Sequence, residues 1–324
     1  MCRSNLRESD TPFAGRILVT FAVFAYNQEK YICEAVRGAF SQTYEPLEII
    51  ISDDCSTDKT FEIIQQMVAN YYGPHEIVIN KNEINLGISP HVRKIHEISR
   101  GRFIVHAAGD DISMPNRTSV LKEAFEAHGS NVFMVISNAD KTSLKGEDFG
   151  LLSNEKEKIV VGGGSVFRSG IPGKFGCTAA VDKKIVEAFP PPSPMIATED
   201  DVLLRRALIL GKVIYIPDVL VKYRIGDGVS HRKTSSRVNA ERYVKNIDDQ
   251  LLRLQQLVQD ANSIGYQLSG QDLAALKKEI YRLTLTQSAI HGNIFSLIRL
   301  TRLISFRSFL RFVLTLIIYK MPRA

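Results

Sequence analysis

Residues 47–69 read LEIIISDDCSTDKTFEIIQQMVA. Leu47–Ser52 is a short apolar run rich in isoleucine, whose branched Cβ suits a strand buried on both faces. Asp53-Asp54-Cys55-Ser56-Thr57-Asp58 follows as a polar turn, and Asp58–Ala69 then has the length and spacing of a helix, with Ser56 or Thr57 available as its N-cap. A strand passing through an acidic turn into a helix is one βα unit, and the neighbouring sequence repeats it. Ile17–Phe24 and Gln28–Phe40 form such a pair upstream, while Glu76–Asn80 and Arg102–His106 read as a third and a fourth strand, each followed by a polar turn and a helical pattern. The fold class that follows is α/β, a Rossmann-like, mostly parallel sheet flanked by helices.

Order weakens between Thr142 and Gly176, where glycines, lysines and glutamates accumulate. Beyond it, Ala179–Phe189 reads as a helix stopped by Pro190, Pro191 and Pro192, because proline cannot continue a helical ladder. Glu199–Leu210 reads as a helix closed by Gly211, Val213–Ile216 as a further strand, and the chain from about Asn239 as helical. The expected organisation is an N-terminal extension (1–16), a main domain (17–238) and a helical C-terminal extension (239–324).

A chain of 324 residues with 44% hydrophobic and 23% charged residues can bury a large core, which excludes a disordered class. The net charge of +6 is unevenly spread: residues 232–324 carry 15 Lys/Arg against 6 Asp/Glu, and the remainder is slightly acidic. On charge alone, such a basic tail suits a membrane leaflet or a nucleic acid. Cys2, Cys33, Cys55 and Cys177 lack the paired spacing of a zinc site or disulfide framework and read as reduced thiols. Met1–Arg16 lacks the apolar core of a signal peptide, so the expected location is cytoplasmic.

Two acidic pairs stand at strand ends. Asp53-Asp54 closes the second strand, at the sheet edge where open α/β folds bind ligands, and a carboxylate there can accept from a ribose hydroxyl or a base N–H; helix capping would use the same residues. Asp110-Asp111 follows the fourth strand, and adjacent carboxylates in a cleft suit Mg²⁺ or Mn²⁺ holding a diphosphate; a surface turn is the simpler alternative. The turn after the first strand, Tyr26-Asn27-Gln28, lacks the glycine-rich fingerprint of a dinucleotide-binding domain.

Taken in order, Tyr26-Asn27, Asp53 to Asp58, Asn85-Leu86-Gly87 and Asp110-Asp111 resemble the donor-binding half of family 2 glycosyltransferases with the GT-A fold. The resemblance continues in Thr198-Glu199-Asp200-Asp201, which is similar to the family's Glu-Asp motif at a helix start, and it covers roughly Ile17–His231. It implies a donor-binding half (17–140) and an acceptor-binding half (141–238), with Tyr26, Asn27 and Asp54 on the nucleotide. It further implies Asp110 on the ribose or sugar, Asp111 as ligand of Mn²⁺ or Mg²⁺, and His231 completing the metal shell. Asp200, chosen over Asp201 by motif register, is implied as the base that deprotonates the acceptor hydroxyl; complementing the helix dipole is the plainer use of these acids. The implied partners are a nucleotide-diphosphate sugar and a glycan or lipid-linked acceptor, with no nucleic acid, and the implied reaction inverts the anomeric centre. Phe24-Ala25 and Gly226-Asp227-Gly228 depart from the family pattern.

Two rivals remain. A nucleotidyltransferase would carry a glycine-rich basic loop where Tyr26-Asn27 stands, and an inactive sugar-nucleotide-binding protein would not require Asp111 or Asp200. In the tail, Phe309, Phe312 and Leu316 share one side of a helix with arginines largely opposite, a pattern suited to lying in a membrane interface or to packing on protein.

Overall fold

The computed structural model describes residues 16–143, 147–162, 165–167, 171–172, 176–225, 236–300 and 312–313. The first half alternates β1 (Val19–Ala25), α1 (Ile32–Phe40), β2 (Leu47–Asp53), α2 (Thr60–Ala69), β3 (Glu76–Lys81), α3 (Ile88–Ile98) and β4 (Phe103–Ala108). Then come β5 (Ile112–Ser113), α4 (Arg117–Ala127), β6 (Val132–Ser143), β7 (Asp148–Leu151), β8 (Ile159–Gly162), β9 (Ala179–Asp182), α5 (Lys184–Glu187), α6 (Glu199–Leu210) and β10 (Lys212–Ile225). The long helices α7 (Ser236–Ser263) and α8 (Gly270–Ile290) and the short α9 (Ile294–Leu300) follow.

One sheet orders its strands β3-β2-β1-β4-β9-β6-β10-β5, with β7 on β6 and β8 on β10. The pairs β3–β2, β2–β1 and β1–β4 are parallel, as the repeated βα units require, and β6–β10 is parallel again. Between these two parallel groups lies β9, antiparallel to both β4 and β6. The expected helix Ala179–Phe189 is therefore corrected. Its first residues are buried completely as this inserted strand, and only Lys184–Glu187 is helical, because tertiary pairing outweighs the local pattern.

Val213–Ile216 likewise extends to a strand of 14 residues. Pro217, which looks like a strand end, sits where the register with β6 shifts between Ile216 and Val219, the kind of irregularity that lets a strand continue past a proline. The helix α2 begins at Thr60 with Lys59 at its N-cap position, so neither Ser56 nor Thr57 caps it.

The isoleucines of β2 alternate between two cores. Ile49 and Ile51 pack with Phe21, Val36, Ile64 and Leu121 on one face, whereas Ile50 packs with Ala22, Ile95, Leu204 and Ala207 on the other. All three are fully buried, and each such side chain stabilises the fold by about 1.5–3 kcal/mol. The result is helix, sheet, helix in three layers. Ile247, Leu254 and Leu257 of α7 and Leu276 and Leu283 of α8 belong to the same core as α6. Asp260 of α7 reinforces the join by taking Arg206 of α6 in a bidentate pair at 2.7 and 2.9 Å, with both side chains almost wholly buried.

Candidate active site

The turns after β1 and β2 are knitted together at the C-terminal edge of the sheet. Asn27 adopts a left-handed conformation (φ 51°), which asparagine tolerates better than most residues, and its Oδ1 accepts the Thr57 N–H at 2.8 Å. Its own N–H donates to Ser56 Oγ at 2.8 Å, leaving Tyr26 exposed at the lip. The two acids beside this turn differ in use. Asp53 is fully buried and accepts from the Ser56 N–H and hydroxyl. Asp54 accepts from Asn82 Nδ2 (2.7 Å), Leu86 N–H (3.0 Å) and Gly87 N–H (2.9 Å), so it organises the turn that begins α3. Gly87 has φ 80°, a conformation that favours glycine.

The second pair lies deeper. Asp111 is 4% exposed; its Oδ1 accepts the Arg224 N–H at 2.9 Å, its Oδ2 makes no conventional hydrogen bond among the described residues, and the buried Cys177 thiol stands beside the carboxyl as a weak donor. Burial, and then the neighbouring charge of Asp110, push the Asp111 carboxyl up to about 7, and burial also raises Asp110. Arg224 closes the site from β10: it donates to the Asp110 carbonyl at 2.7 Å, pairs with Glu34 at 2.8 Å and lies over the Tyr31 ring. Beneath the acids, the fully buried Arg117 donates to Ser113 Oγ and to the carbonyls of His106 and Cys177.

A buried orphan oxygen beside a second carboxylate fits a hard divalent cation, which would relieve the repulsion between the two acids. Among the described residues, no group of three or more His, Cys, Asp or Glu assembles a complete cage. A pair of carboxylates suits a cation such as Mg²⁺, which one or two carboxylates can hold together with phosphate oxygens. His231, expected as a further ligand, lies outside the described residues.

The third acidic cluster opens α6 at Glu199, as expected. Asp201 is taken by two guanidiniums, Arg205 Nε at 2.8 Å and Arg253 Nη1 at 3.0 Å, and its carboxyl falls below the usual range despite burial, which opposes the shift. Asp200 accepts the Asp201 N–H at 2.8 Å, and burial above all raises its carboxyl to about 6. Glu199, between Asp200 and Asp249, is raised to about 8, again chiefly by burial. A cavity of about 210 Å³ lies against Asp200, lined also by Met134, Ile136, Thr198, Leu204 and Arg253.

The single helical turn Gly176–Thr178 joins the two clusters. A Cβ added at Gly176 would lie 3.2 Å from Glu199 Oε1 and 3.7 Å from Asp200 Cβ, and the Cys177 thiol on the other side is held protonated by burial and by Asp111. Sequence reasoning placed the acids but missed Arg117, Asp249 and Arg253. The last two carry a readable signal, since Asp249, Arg253, Gln256 and Asp260 recur at the spacing of one helix face.

Among the described residues, no helix is long and apolar enough to cross a membrane. Phe312 is buried in the core, with its ring 6.3 Å from that of Tyr243, so this residue of the tail packs on protein. Phe309 and Leu316 lie outside the described residues.

The fold resembles that of Staphylococcus aureus TarS in complex with UDP-GlcNAc, with a TM-score of 0.55 at 14% identity over 94% of this chain and 89% of that one. It also resembles that of the mannosyltransferase PcManGT from Pyrobaculum calidifontis in complex with GDP-Man and Mn²⁺, with a TM-score of 0.54 at 14% identity over 96% and 90% of the two chains. These likenesses identify the architecture as GT-A, with a helical C-terminal extension. In sequence, the chain is 34% identical over 102 residues to the UDP-Glc:alpha-D-GlcNAc-diphosphoundecaprenol beta-1,3-glucosyltransferase WfaP of Escherichia coli, a stretch covering 32% of this chain and 39% of that one. Curated relatives such as this are matched over 15% to 39% of their own length. Residues 20–189, just over half of the chain, match the model of Glycosyl transferase family 2, and the chain belongs to that family.

Proposed function

We propose that this protein is a metal-dependent, inverting glycosyltransferase that moves a sugar from a nucleoside-diphosphate sugar to a hydroxyl of a glycan or lipid-linked acceptor in surface polysaccharide synthesis. One observation carries the reading. The orphan oxygen of Asp111 and the raised carboxyl of Asp200 flank the same three-residue turn, so a candidate cation-binding group and a candidate proton acceptor stand on either side of it.

Residues 17–140 form the donor half, in which Tyr26, Asn27 and Asp54 face the nucleotide and Asp110 faces the ribose or sugar. Asp54 would do so while holding the 85–87 turn in place. Asp111, with His231, would hold Mn²⁺ or Mg²⁺, which when bound offsets the negative charge of the diphosphate. Residues 141–238 form the acceptor half. There Asp200 takes the acceptor's hydroxyl proton as its oxygen bonds to the anomeric carbon, and the bond from that carbon to the diphosphate oxygen breaks with its electron pair leaving on the diphosphate. Attack opposite the leaving group inverts the centre with a single base. Asp201 is committed to Arg205 and Arg253, which supports Asp200 as that base.

Nucleotide sugars and Mn²⁺ named with the structural neighbours, and the diphosphoundecaprenol acceptor in the name of WfaP, support this substrate class. Work at the cytoplasmic face of a membrane, with peripheral contact through the basic tail, completes the proposal. Its test is turnover of purified protein with a panel of nucleotide sugars and Mn²⁺, read as released nucleoside diphosphate. Release by the parent and its loss in Asp200→Asn is the expected result, while release unchanged in Asp200→Asn removes the base assignment. Vesicle flotation with anionic and neutral lipids tests the membrane contact, and no preference for anionic lipid would remove it.

A further inference from the structure

We propose that the C-terminal helix α7 belongs to the catalytic apparatus, with Asp249 and Arg253 as positioning residues that fix the backbone and the charge around Asp200. This inference rests on the reading of Asp200 as the base.

The need for outside support is built into α6. Its first turn stacks Glu199, Asp200 and Asp201, and its N-cap residue, Thr198, makes no side-chain capping bond among the described residues. A helix start leaves backbone N–H groups without intrahelical partners, and a loosely held first turn would let a carboxylate in it wander. The missing hold comes from about 50 residues downstream. Asp249 Oδ1 accepts the Ala197 N–H at 2.7 Å, and Asp249 Oδ2 accepts the Thr198 hydroxyl at 2.9 Å. The residue before Asp200's turn is thus pinned by a side chain of another helix.

One turn along α7, Arg253 stands 2.9 Å from Asp249 and 3.0 Å from Asp201, joining the outside cap to the inside acid. Farther along the same face, Gln256 accepts the Ser193 N–H at 3.2 Å, and Asp260 holds Arg206. The anchoring stripe therefore reaches from the segment before α6 to Arg206 within it, and the Asp249–Arg253 pair stands at its catalytic part. Arg253 also lines the cavity at Asp200, so it borders the space where an acceptor hydroxyl would stand.

Charge follows the same arrangement. The charged groups that act on Asp200 are Glu199 and Asp201 on its own helix and Arg253 on α7; Asp249 of α7 acts on Glu199, and the turn opposite supplies the Gly176 backbone. Arg205 neutralises part of Asp201 from within α6. Among these groups, Arg253 lowers the pKa of Asp200 through its charge while Asp201 raises it. Removing Arg253 therefore moves Asp200 toward alkaline values, whereas removing Asp249 frees the backbone without taking away a cation.

The two residues thus predict different kinetic signatures. Misplacing a reacting group by about 1 Å can cost about 10²-fold in rate, so Asp249→Ala should lower kcat by roughly 10- to 100-fold with donor affinity unchanged. Asp249→Asn, whose amide oxygen can still accept the Ala197 N–H, should recover most of that loss. Arg253→Met should lower kcat at neutral pH by about tenfold and shift the acid limb of the kcat/KM profile to higher pH, and Arg253→Lys should bring the limb part of the way back. The experiment measures kcat, donor affinity by calorimetry, pH profiles and thermal midpoints for these four variants, with Asp200→Asn alongside. If Asp200→Asn abolishes turnover while Asp249→Ala and Arg253→Met lower only the thermal midpoint, keeping parental kcat and pH limb, α7 is scaffold and this proposal is overturned although the base stands. Parental turnover in Asp200→Asn would instead overturn the base assignment on which the proposal rests.

Discussion

Asp110-Asp111 and Glu199-Asp200-Asp201 are both runs of neighbouring carboxylates in partly or fully buried surroundings, yet the protein treats them differently. At the end of β4 the buried pair receives a backbone N–H and keeps an orphan oxygen; Arg117 lies beneath but spends its hydrogen bonds on a hydroxyl and carbonyls. At the start of α6, Arg205 and Arg253 neutralise Asp201 and leave its neighbour with a raised carboxyl. Among the described residues the first cluster makes no direct ion pair, the guanidiniums of Arg117 and Arg224 acting on its carboxylates only through their charge, and it suits a cation from outside. The second brings its own counter-ions and suits a proton. Residue type is the same, and the positions of the guanidiniums decide the chemistry.

The largest expected effect strikes the first cluster: Asp111→Ala should abolish metal-dependent donor binding while the fold survives, because the variant loses the buried oxygen proposed to hold the cation. Calorimetry with Mn²⁺ and donor checks this, and parental affinity in the variant would erase the contrast. Next, Asp200→Asn should leave donor affinity nearly unchanged and lower kcat by about 10² to 10⁴, the usual worth of a positioned base. If Asp201→Asn shows that loss instead, the roles within α6 are reversed.

A smaller effect concerns pH. Asp200 must be ionised to accept a proton, so with its carboxyl raised to about 6, kcat/KM should fall about tenfold per unit below that value and level off above it. A limb near 4 would show an unperturbed carboxylate. Asp201→Asn should act mainly on stability, costing about 1–3 kcal/mol by leaving Arg205 and Arg253 short of their partner, as chemical denaturation would measure.

The smallest effect sharpens the comparison within one turn. Glu199 is raised in the folded state, so the folded protein binds the extra proton and loses stability as pH rises from about 4.5 toward 8. Glu199→Gln should flatten that decline, by a thermal midpoint difference on the order of a few degrees between pH 5 and 8. Parallel decline in both proteins would show that Glu199 meets solvent freely.

Legibility followed distance along the chain. Leu47–Asp53 was readable because a strand buried on both faces has no polar alternation to confuse it, and its acids were found because turn chemistry is local. Ala179–Phe189 was misread because its helical spacing is genuine in Lys184–Glu187, while Ala179–Asp182 obeys β6 and β4, about 45 and 77 positions upstream. The Asp249 hold on Ala197 and Thr198 was hidden for the same reason: no local pattern reports a cap supplied by another helix.

The inserted strand β9 also governs how the polypeptide must be made and handled. Until residues 179–182 arrive, β4 and β6 each present an unpaired edge of interior, apolar strand, and open edges of that kind invite pairing with other chains. The N-terminal βα units, although they read as a self-contained half, therefore finish their sheet only through a late, non-local closure. A fragment cut near residue 140 should aggregate where the full chain does not, so the smallest piece worth expressing extends beyond β9.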